Sequence, residues 1–255
     1  MMRLWALALN TFREAVRDRV LHSILFFGAA TVILSIVFKD ITIGDQGKVV
    51  RSVAHSGVDI FASIIAMFLG ISLLWKELEM KTIYTILSKP IPRWMFVLGK
   101  YAGLVLTVGV ELLLLVLMYS IAIGVYQGMP SLTTYVSFGL IFVELLLLTA
   151  WATLFSAYSA PMTASAFTLS VFVIGHLADD IWLYGSQADN PMVQNIAVVL
   201  YYVLPNFELF NIRSFAIHQQ PVPWDRVWPA IGYGLCYTAT VLWCAVGIFN
   251  RRDIR

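Results

Sequence analysis

Six stretches of this chain are apolar over the length of a bilayer's hydrocarbon core, at about 20–38, 58–75, 101–125, 135–158, 162–182 and 227–249. About 20 residues at 1.5 Å rise each cross a core of ~30 Å. Hydrocarbon offers no partner to backbone N–H and C=O groups, so such stretches must be helical. The composition points the same way. The 255 residues are 60% hydrophobic and 13% charged, with mean hydropathy +0.80; a soluble domain carries about 25% charge. The expected fold is an all-α integral membrane protein with six transmembrane helices. No repeat or low-complexity linker divides residues 1–255, which read as a single membrane domain. A net charge of +2 is too small to point to nucleic acid. Cys236 and Cys244 lie inside the last apolar run and read as inert lipid- or protein-facing thiols.

The N-terminal residues do not read as a cleavable signal, because Arg3, Arg13, Arg17 and Arg19 are spread ahead of the first apolar run. Residues 3–18 suit an amphipathic helix in the bilayer interface. Leu4, Trp5, Ala8, Phe12 and Val16 form its stripe, with Arg3, Arg13, Glu14 and Arg17 mostly elsewhere. Residues 39–57 read as a polar connection. Residues 185–226 are harder to place: the apolar piece 196–204 has only nine residues before Pro205. That is too short to cross, so a re-entrant or interfacial helix is expected, followed by a second short helix near 207–217.

Six crossings put both termini on one side. That side receives twelve basic residues, at 3, 13, 17, 19, 76, 81, 89, 93, 100, 251, 252 and 255. The other receives five: Lys39, Lys48, Arg51, Arg213 and Arg226. The positive-inside bias therefore places both termini in the cytoplasm, together with the segment 76–100, KELEMKTIYTILSKPIPRWMFVLGK. In that segment Leu78, Ile83, Ile86 and Leu87 can share one side of a short helix over 77–87. Pro90 and Pro92 break it, and Pro92 suits the start of the next helix. The expected element is a proline-bent helical hairpin on the membrane surface. A soluble partner could push it and move two spanning helices.

Two carboxylates lie within spans. Glu111 and Glu144 each sit about 15 Å deep, entering from opposite faces. An ionised acid there costs at least ~2.5 kcal/mol, so each must be paired, hydrated or protonated. They either line a substrate path or proton relay, or are neutral acids bonded to neighbouring helices; neither has an intramembrane Lys or Arg as an obvious partner. His176, Asp179 and Asp180, in HLADD, have the spacing of a metal pair but better fit a hydrated helix end. His22, His55 and His218 read as isolated. Gly99 and Gly103 form a small-xxx-small pair that permits close helix approach. No phosphate loop, H-E-x-x-H or G-x-S-x-G occurs. No catalytic residue, metal site or cofactor is therefore expected on this chain, and energy must come from a partner or an ion gradient.

The run TIYTILSKPIPRWMFVLGKYAG resembles the coupling segment of permease subunits of ABC-type exporters of the second exporter class. It is especially similar to the group linked to multicopper-enzyme maturation and gliding-associated transport. The matching residues are Glu77 or Glu79, Thr82 and Ile83, Leu87, Ser88, Lys89 and Pro90, then Arg93, Leu98, Gly99 and Lys100. FSAYSAPMTASAFTLSVFVIGH and YYVLPNFELFNIR also look like that family's fourth-to-fifth-span turn and outer segment. The resemblance implies two permease copies, identical or related, in a bacterial cytoplasmic membrane. Each would sit on a cytoplasmic ATPase subunit that holds ATP and Mg, with an accessory periplasmic or membrane subunit as an optional addition. It implies that Glu77, Glu79, Thr82, Ile83, Leu87, Ser88, Pro90, Arg93 and Lys100 serve coupling. Two other readings stand beside it: a gradient-driven transporter using Glu111 and Glu144, and a membrane-embedded metalloenzyme using the HLADD group.

Overall fold

The structure, a computed structural model, describes residues 2–41, 45–79, 92–188 and 190–251. Among the described residues every regular element is helical: α1 (Met2–Ala15), α2 (Arg19–Ile41), α3 (Gln46–Glu79), α4 (Arg93–Gln127), α5 (Leu132–Tyr158), α6 (Pro161–His176), α7 (Ala178–Ser186), α8 (Pro191–Val203), a 3-10 turn (Glu208–Phe210), α9 (Arg213–Ile217) and α10 (Trp224–Arg251). Five helices, α2, α3, α4, α5 and α10, are long and apolar enough to cross a membrane. Two bent pairs add up to two more: α6 with α7, turned by 61°, and α8 with the segment Glu208–Ile217, turned by 54°. The chain is a multi-pass membrane protein.

Local chemistry sets where the helices start. Asp18 Oδ1 accepts from Val20 N–H at 2.9 Å and opens α2. Pro92, at φ −65°, precedes α4, and Pro161 is the first residue of α6. Asn190 caps α8 through Met192 N–H at 2.9 Å, with Pro191 in its first turn. The connection expected over 39–57 is shorter than the sequence suggests, because α3 is helical from Gln46. Asp45 Oδ1 accepts from Lys48 N–H at 3.2 Å, and no proline follows to stop the helix.

α5 is the most enclosed of the five long helices, while α2 and α10 are the most open. α3 and α10 flank α5, α2 lies on α3, and α1 lies along α4. Phe26, Phe27, Ile33, Leu34 and Val37 on α2 are exposed, as expected of a face turned to hydrocarbon. One end of the bundle gathers α1 and the C-terminal turn of α10 around the start of α4; this is called the near end below.

The fifth crossing is not the straight helix expected over 162–182. α6 rises antiparallel to α5 for about 22 Å at 1.5 Å per residue, and its last residue, His176, meets Glu144, midway along α5. There the Gly175 carbonyl accepts from Phe207 N–H at 2.9 Å instead of continuing the helix ladder. α7 and α8 form a hairpin that leaves at Leu177 and returns at Asn206. A Cβ on Gly175 would collide with the Phe207 ring, so the joint needs glycine. The chain then climbs through the 3-10 turn and α9 to the far end. Gln219, in the left-handed region at φ 53°, turns it so that Gln220 O accepts from Thr133 Oγ1 at 2.6 Å. Residues 206–220 thus continue along α5 beyond the end of α6, with the α7–α8 hairpin leaving between them at the level of Glu144.

Candidate functional site

At the near end, the start of α4 joins three parts of the chain. Arg93 Nη1 donates to the carbonyls of Asn250 at 3.1 Å and Phe249 at 3.4 Å, which terminate α10. A guanidinium suits the negative end of a helix. One turn on, Phe96 stacks on Phe249 with centroids 5.7 Å apart. Lys100 is buried, with Nζ 3.6 Å from Glu14 Oε2 on α1. Gly99 and Gly103 let α1 lie flat on α4: a Cβ on Gly103 would sit 2.5 Å from Thr11 Cβ and 2.6 Å from the Ala8 carbonyl. The small-xxx-small pair therefore seats α1. Of the residues expected to couple, Glu77 and Glu79 close α3, while Thr82, Ile83, Leu87, Ser88 and Pro90 lie outside the described residues.

A second polar group occupies mid-depth. Glu144, on α5, is 3% exposed, and His176 Nε2 lies 3.4 Å from its Oε1. His176 Nδ1 is 3.0 Å from the Phe172 carbonyl, an acceptor, so that nitrogen carries hydrogen. Phe172 and Phe207 wall the imidazole, with centroids at 4.5 and 5.4 Å. Asp59, on α3, lies within electrostatic reach of His176, Arg213 and Glu144. Among the described residues no hydrogen bond reaches Glu144 Oε1 or Asp59 Oδ1, although both are buried.

The returning segment supplies the rest. Asn206 donates through Nδ2 to Asp179 Oδ1 at 2.7 Å and through its backbone N–H to Tyr233 Oη at 3.0 Å, and its Oδ1 accepts from Glu208 N–H at 3.0 Å. Arg213 Nη2 donates to Ser52 Oγ at 2.6 Å. Above this layer a hollow of about 520 Å³ is lined by Lys48, Ser52, Glu208, Asn211, Arg213 and His218, among others.

Several sequence expectations change here. Glu111 and Glu144 are both buried, but the charged groups acting on Glu144 are Asp59 and Glu208, and none is resolved acting on Glu111. His176 and Asp179 face different partners, Glu144 and Asn206. Among the described residues no group of three or more His, Cys, Asp or Glu could hold a metal. His55 is not isolated: it is buried, bonded to Ser137 Oγ at 2.9 Å and stacked on Phe138 at 4.8 Å. Asp59, His55 and Arg213 were not singled out from the sequence. The available signal was the spacing of Lys48, Ser52, His55, Asp59 and Ser63, one face of α3.

A search of curated proteins returns no match. The description "ABC-2 family transporter protein" matches residues 5–254, nearly the entire chain. With a bundle of apolar helices and no nucleotide-binding loop in the sequence, the chain belongs to the ABC-2 transporter family, as a membrane permease component of an ABC transporter.

Proposed function

We propose that this chain is the permease subunit of an ATP-driven exporter, worked by a separate cytoplasmic ATPase that pushes the segment between α3 and α4. The observation that carries the reading is family membership over residues 5–254 in a chain that lacks a phosphate loop of its own. Geometry at the near end supports the route of the push. α4 begins at the end of that segment, and its first turns hold α1 through Lys100 and α10 through Arg93. A displacement of α4 would therefore carry three helices as one body.

In this reading both termini are cytoplasmic, six crossings are completed by the composite fifth, and a second permease copy pairs with the first. Glu77, Glu79, Thr82, Ile83, Leu87, Ser88 and Pro90 contact the ATPase. The likeness to the multicopper-maturation and gliding-associated group rests on the 76–100 motif and names no cargo.

The test is a mild-detergent pull-down of the tagged chain from its native membrane. A stoichiometric soluble ATPase is expected, and Glu79→Lys should reduce its recovery without lowering the amount of permease in the membrane. If no ATPase is recovered under several mild conditions, the reading fails. Loss of transport in Glu144→Gln would then favour a gradient-driven carrier.

A further inference from the structure

We propose that Glu144 and His176 together form a binding site for a single proton, reached from the far-end hollow along the polar face of α3. His176 Nδ1 already gives its hydrogen to the Phe172 carbonyl. Nε2 then lies 3.4 Å from Glu144 Oε1. Without a further proton, the Nε2 lone pair would lie against a carboxylate that is itself only 3% exposed. With one, carried on the Glu144 carboxyl, the pair is neutral overall. Glu144 finds no other answer: its Oε1 receives no hydrogen bond among the described residues. A buried acid in this state must bind a proton or a cation, and no metal-binding group is present among the described residues to compete.

The route follows from spacing. Lys48 and Ser52 line the hollow, and His55, Asp59 and Ser63 continue the same face of α3 inward. Ser52 is tied to Arg213, and Asp59 lies within electrostatic reach of Arg213 and of both members of the pair. The charged and titratable groups around the pair are Asp59 from α3 and Glu208 from the returning segment; Arg213 in turn acts on Asp59, and Asp179 and Asp180 from α7 act on Glu208. Binding takes one proton from water in the hollow and release returns it, so no other reactant is needed. The site itself does not depend on an ATPase; only its assignment to the outer side rests on the orientation proposed above.

The experiment is an infrared pH titration of the purified full-length chain in lipid nanodiscs. A carboxylic C=O band that titrates as one proton is expected, absent in Glu144→Gln and displaced in frequency in His176→Gln. Removing the nearby negative charge with Asp59→Asn should move its midpoint to lower pH, and Arg213→Gln should move it to higher pH. Each shift should be roughly half a unit or more. Ser52→Trp, which crowds the hollow, should slow the band's response to a pH jump several-fold. Far-ultraviolet circular dichroism checks that each variant remains helical. If Glu144→Gln does not fold, the Asp59 and Arg213 variants still decide the matter. A band that survives Glu144→Gln, or a midpoint unmoved in both charge variants, would overturn the site. An unchanged exchange rate in Ser52→Trp would overturn the route.

Discussion

Lys100 carries its cation into a position that is 1% exposed, where the carboxylate of Glu14 lies 3.6 Å away. A buried ion that loses a partner keeps its desolvation cost, so Glu14→Gln should destabilise the near end by about 1–3 kcal/mol. Thermal unfolding in detergent should show the loss, with faster proteolysis of α1. Gly103→Ala should do comparable harm for a different reason. Its methyl would lie 2.6 Å from the Ala8 carbonyl, and backbone cannot swing aside, so overpacking of about 1–3 kcal/mol follows. If both variants keep wild-type protease resistance, α1 is not held by this contact.

At the scale of elements, the joint between α6 and the returning segment decides how the chain reaches the far end. Phe207 is fully buried, its ring against Gly175 and His176. Phe207→Ala should cost about 3–5 kcal/mol, read as a lower midpoint of thermal unfolding in detergent. A loss below about 1 kcal/mol would mean that the joint yields without consequence. The long crossings could be read from the sequence because apolar length maps directly onto bilayer thickness. The joint could not, because a bond from Phe207 N–H to the Gly175 carbonyl depends on residues far apart in sequence. The polar core was legible only in fragments. Placing the start of the second span at residue 58 cut the α3 stripe in two, leaving His55 in a connection and Asp59 at a helix end. Treating the fifth span as full length put His176 at the outer surface, too far from Glu144 to be considered its partner.

Across the whole molecule, the proposed orientation assigns every connection to a side. Met129, between α4 and α5, is 87% exposed at the far end. Met129→Cys should react with a membrane-impermeant maleimide in intact cells, whereas Arg251→Cys should react only after permeabilisation. The reverse pattern would invert the topology. Native Cys236 and Cys244 are exposed on α10. Both lie within a helix long and apolar enough to span, out of reach of an impermeant reagent, so both should stay unlabelled until the protein is unfolded.

The joint at Gly175 also has a mechanical meaning. A continuous helix carries tension and compression alike along its length, because each turn is covalently joined to the next. Here the covalent path detours through the α7–α8 hairpin, and the short path from α6 to the upper segment is closed by non-covalent contacts: the Phe207 N–H to Gly175 carbonyl bond, the Asn206 to Asp179 bond and the Phe207 ring. Such a seam bears compression but parts under tension. A pull on α6 from the near end would therefore be shared with α5 and α3, against which it packs, and would reach the upper segment only through this non-covalent seam.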